Sequence, residues 1–216
     1  MKILLEKLKM PLTVLGGVIA CLLALAIVQK AYAADKGGSL KDTNTNAAVA
    51  AASGWTGCGP GIHGGWVQGS TVFSGPIDIG TQGSTFGVTA DCLFRIGTGP
   101  VVVGMFVDYD RVFGDAHKLG LDSNLTVGGR LGYLVTPSAL VYGLAGWSRL
   151  AGDFGNSDGY VLGGGVELKL RTDQPWFADF RYEHGRYKDL GGSGFDADSN
   201  SVRAGLIYRF GAMPRP

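Results

Sequence analysis

The stretch SVRAGLIYRF, residues Ser201–Phe210, decides the fold of this chain. Successive side chains of a β-strand point to opposite faces, and here the residues on one face are all apolar and end in two aromatics. They are Val202, Ala204, Leu206, Tyr208 and Phe210. The opposite face is small or charged apart from one isoleucine: Ser201, Arg203, Gly205, Ile207 and Arg209. A strand with lipid on one side and a polar lumen on the other has this pattern, so the stretch predicts a membrane-spanning β-barrel.

Segments with the same alternation recur from Trp55 onward and predict eight strands of about ten residues, the length a tilted strand needs to cross a bilayer. The predicted strands cover 57–68, 83–95, 101–112, 124–135, 139–150, 159–170, 176–187 and 200–210. Short turns alternate with longer loops rich in Gly, Asp and Ser, as in outer-membrane barrels with short periplasmic turns and longer external loops. We therefore predict an all-β fold, an eight-stranded antiparallel up-and-down transmembrane β-barrel over 55–210. A flexible periplasmic linker at 34–54 precedes it, and a C-terminal tail at 211–216 follows.

The bulk composition fits such a barrel. Apolar residues make up 45% of the 216-residue chain, charged residues only 17%, and glycine is frequent at 37 residues. Glycine within strands marks bends and places where backbones approach closely, which a narrow barrel requires. The formal net charge is +1 and Lys and Arg do not cluster, so the composition argues against a nucleic-acid partner.

The N-terminus has the parts of a secretory signal peptide, predicted over 1–33. Lys2, Lys7 and Lys9 precede a long apolar run, and Ala31–Ala33 offers a small-x-small cleavage site. Export through this signal predicts location in the cell outer membrane. Because the apolar run is long, an uncleaved anchor helix remains an open alternative.

A second alternative for the N-terminus is lipoprotein processing, since Val18–Cys21 fits a lipobox-like pattern. A cut there would leave a mature end that still begins with the apolar run Leu22–Val28, which is a poor lipoprotein start. We therefore favour removal of Cys21 with the signal. The mature chain then keeps Cys58 and Cys92, an even number in an oxidising compartment.

Cys58 and Cys92 fall at the turn-side ends of the first two predicted strands. In an antiparallel hairpin, the residue numbers of every directly paired couple add up to the same value. For Cys58 and Cys92 the midpoint is Gly75, which lies within the first long loop. A cross-strand disulfide near the periplasmic rim is one reading, and two free thiols are the other.

The inward positions of the predicted strands carry charges of both signs. This predicted lumen charge network consists of Arg130, Glu167, Lys169, Asp179, Arg181, Glu183, Arg203 and Arg209. One reading is a selective conduit; the other is a plug of mutually paired side chains. We favour the plug, because an eight-stranded barrel is only wide enough for side chains to fill and buried charges need partners.

Aromatic residues gather near both ends of the predicted strands, as in the interfacial belts of membrane proteins. The predicted lipid-interface aromatics are Phe94, Tyr133, Tyr142, Trp147, Trp176, Tyr208 and Phe210, with Trp66, Tyr109, Tyr160 and Tyr187 added near the loops.

Three segments carry a family resemblance: Trp55–Gly57 (WTG), Gly129–Tyr133 (GRLGY) and the closing Val202–Phe210. Together they resemble the opacity-type small outer-membrane β-barrels, the porin-like surface proteins of alphaproteobacteria. The resemblance covers about 55–210 and implies eight strands and a surface role. Two features depart from the family pattern: Cys58–Pro60 in the first strand, and the residues that follow Phe210.

We find no enzymatic pattern in the sequence and predict no catalytic, cofactor-binding or metal-binding residues. His184 is similar to the base of barrel enzymes that deacylate lipid A, but the position two residues later, where those enzymes carry serine, is Arg186 here. Nucleophilic catalysis needs a nucleophile beside the base.

The predicted function is therefore that of a structural and surface-interaction barrel with a plugged lumen, which displays external loops and contributes to envelope integrity or adhesion. Its expected partners are outer-membrane lipid and lipopolysaccharide, the barrel assembly machinery, and a protein or host surface that meets the loops. A narrow porin-like channel for small solutes is the alternative. A soluble lipocalin-like barrel is a third reading, which requires apolar rather than charged side chains inside.

Overall fold

The computed structural model describes residues 54–72, 78–97, 99–118, 120–153, 155–171, 174–189 and 196–210. The predicted signal peptide, nearly all of the predicted linker and the predicted tail lie outside the described residues. Within the described ranges, no helix is long and apolar enough to span a bilayer.

Eight antiparallel strands form one closed barrel in chain order, as the sequence predicts. The strands are β1 (Gly57–Val72), β2 (Asp78–Arg95), β3 (Val101–Gly114), β4 (Leu121–Thr136), β5 (Ala139–Gly152), β6 (Gly155–Lys169), β7 (Trp176–Tyr187) and β8 (Asp196–Tyr208). A short helix, α1 (Asp115–Lys118), lies between β3 and β4. The strand ends at the short turns agree with the predictions to within two residues. Several of the opposite ends extend further, because backbone pairing there continues past the apolar alternation.

The short turns at one end are closed by backbone hydrogen bonds. The Ile96 amide donates to the Val101 carbonyl (3.0 Å), and the Leu170 amide donates to the Trp176 carbonyl (3.0 Å). Gly97 has a φ of 60° in the first of these turns, a left-handed conformation that glycine adopts without steric cost. We call this end of the barrel the turn side, and the end with the longer connections the loop side.

The seam between β1 and β8 closes the barrel. Its continuous register begins at Gly61 opposite Ile207, because Pro60 has no N–H to donate to the ladder. Beyond this interruption the strands meet again where the Phe210 amide donates to the Cys58 carbonyl (2.8 Å). The last described residue is therefore tied to the start of β1.

The two faces of the barrel wall have the polarity predicted by the sequence. Outward apolar side chains are exposed, including Met105 and Leu131 at 61% each. Inward charged side chains are buried, including Asp108 at 0% and Arg181 at 1%. This is the reverse of a soluble protein, in which charges are rarely buried. The surface is therefore that of an outer-membrane-type barrel, and the lipocalin-like reading is wrong.

Two aromatic residues lie on the face opposite to the predicted one. Tyr142 and Tyr187 were expected in the lipid-facing belts, but they point into the lumen and are only 4% and 2% exposed. Tyr142 lies opposite Gly132, an inward position of β4. Tyr142 lies an odd number of positions, five, before the outward Trp147, so the two cannot share a face of a regular strand.

Candidate functional site: the charged lumen and its two ends

The lumen contains two groups of ion pairs, one nearer each end of the barrel. The turn-ward group consists of two arginines and two carboxylates. Arg209 Nη1 lies 2.5 Å from Glu167 Oε1, and Arg209 Nη2 lies 2.6 Å from Asp91 Oδ2. Arg130 Nη1 contacts the same two carboxylates at 3.2 Å and 3.3 Å. Each carboxylate is thus shared by both arginines, and the formal charges of this group cancel.

Arg181 organises the middle of the lumen. Its Nη1 lies 2.7 Å from Asp108 Oδ2 and 3.3 Å from Glu183 Oε1, and its Nε lies 3.0 Å from Asp179 Oδ2. The Tyr142 hydroxyl donates a hydrogen bond to the other oxygen of Asp179 (2.5 Å). Tyr142, which the sequence placed at the lipid interface, is therefore hydrogen-bonded to a carboxylate of the lumen.

Arg203 lies closer to the loop side than Arg181. Its Nη1 is 2.9 Å from Asp110 Oδ2 and its Nη2 is 3.0 Å from Glu183 Oε2, with Asp108 Oδ2 at 3.6 Å. The second oxygen of Asp110 lies 2.7 Å from His63 Nε2. Arg203 and Arg181 thus share two carboxylates, which links the middle of the lumen to its loop-ward part.

The loop-ward group is not balanced in formal charge. Arg181 and Arg203 together contact four carboxylates, those of Asp108, Asp110, Asp179 and Glu183. His63 adds a positive charge only when it is protonated. Asp179 pairs with Glu167 in the β6–β7 ladder and so lies level with the turn-ward group. Each half of the lumen therefore has one more carboxylate than it has arginines.

Aromatic rings of the apolar cluster lie against the lumen arginines. The Arg130 guanidinium lies 4.9 Å from the ring centroid of Tyr142 and 5.2 Å from that of Phe106. Arg209 lies 4.6 Å from the ring centroid of Phe177. Arginine stacks readily on aromatic faces and is more weakly hydrated than lysine, which suits it to a lumen of this kind.

The turn-side end of the lumen is closed by an apolar layer around Trp55. This side chain is fully buried, packs on Phe177 with ring centroids 5.1 Å apart, and donates from Nε1 to the Pro137 carbonyl at 2.9 Å. Leu93 and Ile207 belong to the same cluster. Trp55 precedes β1, so the chain leading into the first strand forms the floor of the barrel.

The loop-side end holds a small cavity, which we call the vestibule. Its volume is about 70 Å³, room for a few water molecules. The walls include Val112, Leu121, Leu150 and Val161, and Asp110, Glu183 and Arg203 line it as well. Ala116 of α1 also lines the vestibule and is 2% exposed, so the β3–β4 connection folds into the mouth of the barrel.

Most of the predicted lumen network is brought together by the fold, with one exception. Lys169 has the expected parity but lies half-buried at the turn side, where its Nζ is 6.0 Å from the ring centroid of Phe177. It lies apart from the ion pairs described above, because β6 ends at this residue. The lumen charges present are therefore those of the other seven predicted residues and four that were not predicted.

The four missed residues are His63, Asp91, Asp108 and Asp110, all 3% exposed or less. For Asp108 and Asp110 the sequence does carry a signal. The two residues occupy alternate positions of a strand whose other face carries Val107 and Tyr109, and this alternation places them inward. For His63 the local signal is weaker, because its neighbours in β1 are mostly glycines.

Cys58 and Cys92 lie opposite each other in the β1–β2 ladder, in the register centred on residue 75. Their Cα atoms are 4.0 Å apart, and the structure joins the two sulfurs in a disulfide. The bond crosses the first hairpin at the turn side, next to the segment that carries Trp55.

The remaining predicted interface aromatics point outward from the barrel. Trp176, Tyr208 and Phe210 form a row of edge-to-face contacts at the turn side, with successive ring centroids 5.1 Å and 5.0 Å apart. Phe94 and Tyr133 are exposed at the same end. On the loop side, the outward aromatics are Trp66, Tyr109, Trp147 and Tyr160.

Beyond the loop-side aromatics, the strands carry exposed ion pairs. Arg149 Nε lies 2.7 Å from Asp158 Oδ1, with both side chains about half exposed. The hydrogen bond from Arg149 holds the pKa of the Asp158 carboxyl below its usual range. His184 Nδ1 lies 3.1 Å from Asn200 Oδ1, so its described partner is an amide rather than the hydroxyl that hydrolysis would require.

Comparison with known proteins gives low similarity throughout. No protein family matches the chain, and no curated protein matches it. Among solved structures, Ail, the attachment invasion locus protein of Yersinia pestis, is 15% identical, with 72% of this chain and 99% of that chain covered and a TM-score of 0.44. Neisserial surface protein A is 14% identical, with 70% and 97% covered and a TM-score of 0.46. A de novo designed transmembrane β-barrel is 16% identical, with 70% and 94% covered and a TM-score of 0.36. Identities this low assign no family to the chain.

Proposed function

We propose that this protein resides in the outer membrane as an anchor and surface-interaction barrel whose lumen is closed by its own side chains. The observation that carries the proposal is the filling of the lumen along its length. An apolar layer built on Trp55 lies at the turn side, the two groups of ion pairs lie above it, and the vestibule holds only about 70 Å³. The interior of an eight-stranded barrel is just wide enough for side chains to fill it.

The ion pairs act as a structural plug in this proposal. A conducting lumen needs hydrated charges that a passing solute can displace. Here Arg130, Arg181 and Arg209 are 4% exposed or less and each contacts at least two carboxylates. Removing one partner from such a pair leaves an uncompensated buried charge, which is strongly unfavourable. The network is therefore expected to stay closed.

Surface interaction is supported by the extension of the strands beyond the membrane. The strands have 12 to 18 residues, whereas about 9–11 are enough to cross a bilayer. The loop-side ends of β1–β2 and β5–β6 continue past Trp66 and Trp147. We call these ends, residues 67–72, 78–83, 148–152 and 155–159, the collar. A polar collar with paired strands offers an ordered surface outside the membrane.

The remaining parts of the proposal follow from the sequence. Export by the signal peptide at 1–33 would deliver the chain to the barrel assembly machinery. We propose membership of the opacity-type family on the three segments that resemble it, and the eight strands support that proposal. Lipid and lipopolysaccharide would surround the outward belt, and a protein or host surface would meet the collar and loops. The role is non-enzymatic. The alternative of a narrow channel gains some support from the vestibule, which opens the loop side of the lumen to small molecules.

Planar-bilayer recording of the purified protein tests the closed lumen. We expect no reproducible conductance steps, with a 16-stranded porin in the same bilayer as the positive control. Regular steps that recur across preparations would overturn the plug and favour the channel.

Cysteine labelling on intact cells tests which end faces outward. Asn156 lies exposed in the collar and Gln174 lies exposed at the turn side. A membrane-impermeant maleimide is expected to label Asn156→Cys but not Gln174→Cys, with the parent chain as the background control. Labelling of Gln174→Cys alone would invert the proposed orientation.

A further inference from the structure

We propose that the vestibule binds the ammonium end of a small linear amine, with the methylene chain of the amine against the apolar wall. The vestibule lies at the loop side, which the proposed function places outside the cell, but binding there does not depend on whether the lumen conducts. A binding measurement and a conductance measurement can therefore fail independently.

The first observation is the charge balance around the vestibule. Among the described lining residues, Asp110, Glu183 and Asp198 are carboxylates and Arg203 is the basic residue. Behind them, Arg181 and Arg203 are shared among three carboxylates, those of Asp108, Asp110 and Glu183. Asp198 has the exposed Arg186 3.8 Å away. Buried carboxylates need a compensating positive charge. A bound cation would supply it beside the carboxylates that line the vestibule.

The second observation is an unpartnered polar group in the wall. Thr85 lines the vestibule and is only 8% exposed, yet its hydroxyl oxygen has no hydrogen-bond partner in the structure. A buried hydroxyl without a partner costs free energy. An ammonium group carries three N–H donors, which could be divided between this hydroxyl and the carboxylates.

The wall of the vestibule selects the kind of cation. Val112, Leu121, Leu150 and Val161 give it an apolar side, which favours methylene groups over a hydrated inorganic ion. No group of three metal-ligating side chains is found among the described residues. An anion would meet more carboxylates than arginines. A primary amine on a short alkyl chain satisfies both the carboxylates and the apolar wall.

The experiment is calorimetric titration of the full-length folded protein in detergent with butane-1,4-diamine, with butan-1-ol as the uncharged control. We expect saturable binding of the diamine and none of the alcohol. Glu183→Gln removes a carboxylate of the vestibule and is expected to weaken binding at least roughly tenfold, since a hydrogen bond to a charged group is of that size. Asp158→Asn removes an exposed carboxylate of the collar and is expected to leave binding unchanged.

Because Glu183 also contacts two arginines, its variant could fold poorly. Leu150→Trp fills the vestibule without a change of charge and is expected to abolish binding, with heat-modifiable gel mobility reporting on folding in both variants. Undetectable diamine binding, equal binding of the alcohol, an equal loss in Asp158→Asn, or full binding in a folded Leu150→Trp variant would each overturn the proposal. Displacement of the diamine by submillimolar magnesium chloride would also overturn it in favour of a metal site.

Discussion

Arg209 and Asp91 form a buried ion pair of 2.6 Å between residues 118 positions apart in the sequence. Asp91 belongs to β2, and Arg209 directly follows the last strand. The pair therefore bridges the first hairpin and the closing end of the chain across the lumen, and it forms only when the barrel has closed.

Replacement of Arg209 should destabilise the barrel strongly. Arg209→Gln would leave Asp91 and Glu167 with Arg130 as their remaining arginine, and breaking a buried ion pair from one side costs about 3–5 kcal/mol. Urea unfolding in lipid vesicles measures the change. Arg149→Gln, which breaks an exposed pair, is the control and should show no measurable effect. Equal stabilities for the two variants would contradict a structural role for the lumen pair.

The outward face should tolerate charge only outside the membrane. Met105 and Phe113 lie on the same face of β3 and are both exposed, with Tyr109 of the loop-side belt between them. Met105→Lys places a charge in the hydrocarbon region and should cost about 2–4 kcal/mol. Phe113→Lys should cost much less, because it lies beyond the belt. Vesicle refolding yields compare the two, and equal yields would argue against the proposed membrane position.

The disulfide should stabilise the first hairpin. Alkylation of the unfolded mature protein without reductant should block no thiol, whereas prior reduction should expose two, as read by mass spectrometry. The Cys58→Ser variant should be less stable by about 4 kcal/mol, the effect expected from opening a loop that joins residues 34 positions apart. Two alkylated thiols before reduction would show that the bond does not form in the cell.

Trp55 should stabilise the barrel through both its packed ring and the hydrogen bond from its Nε1 group. Trp55→Phe keeps an aromatic ring against Phe177 but loses the hydrogen bond to the Pro137 carbonyl, with an expected cost of about 1 kcal/mol. Trp55→Ala empties the floor of the lumen and should cost about 3–5 kcal/mol. Chemical unfolding of both variants compares their losses of stability, and the loss should be larger for Trp55→Ala. Equal costs would show that the hydrogen bond, rather than the packed ring, closes the turn side.

Glycine at the seam should be indispensable where the backbones approach most closely. A Cβ on Gly59 would lie 1.7 Å from the Tyr208 carbonyl oxygen, a contact that no side-chain movement relieves. Gly59→Ala should therefore prevent closure of β1 on β8 in most molecules. Gly64→Ala, in the same strand, places its Cβ 3.6 Å from the nearest atom and should fold normally. Heat-modifiable gel mobility reports the folded fraction, and a normal fraction for Gly59→Ala would contradict this account of the seam.

The strands were predictable because each one shows its own alternation of apolar and polar side chains. The polarity of β8 is visible in Ser201–Phe210 alone, since lipid and lumen impose opposite requirements on neighbouring residues. The loop-side ends were less predictable. In the collar β1 continues to Val72 through residues that show no apolar alternation, because backbone pairing with β2 and β8 holds the strand there. For Tyr142 the two sequence signals disagree: its aromatic character predicts the lipid interface, whereas its position in the strand places it in the lumen, where it is buried.

The sequence by itself therefore determined the number of strands, the face to which most side chains point, and the register of the first hairpin, because each depends on local alternation or on a single turn. Only the tertiary structure decided the partners of the lumen charges. Arg209 meets Asp91 and Glu167, and Arg203 meets Asp110 and Glu183, because closure brings strands that are distant in the sequence within the reach of one side chain. It also decided how four arginines and six carboxylates are distributed along one narrow lumen, since that depends on which strands meet when the barrel closes.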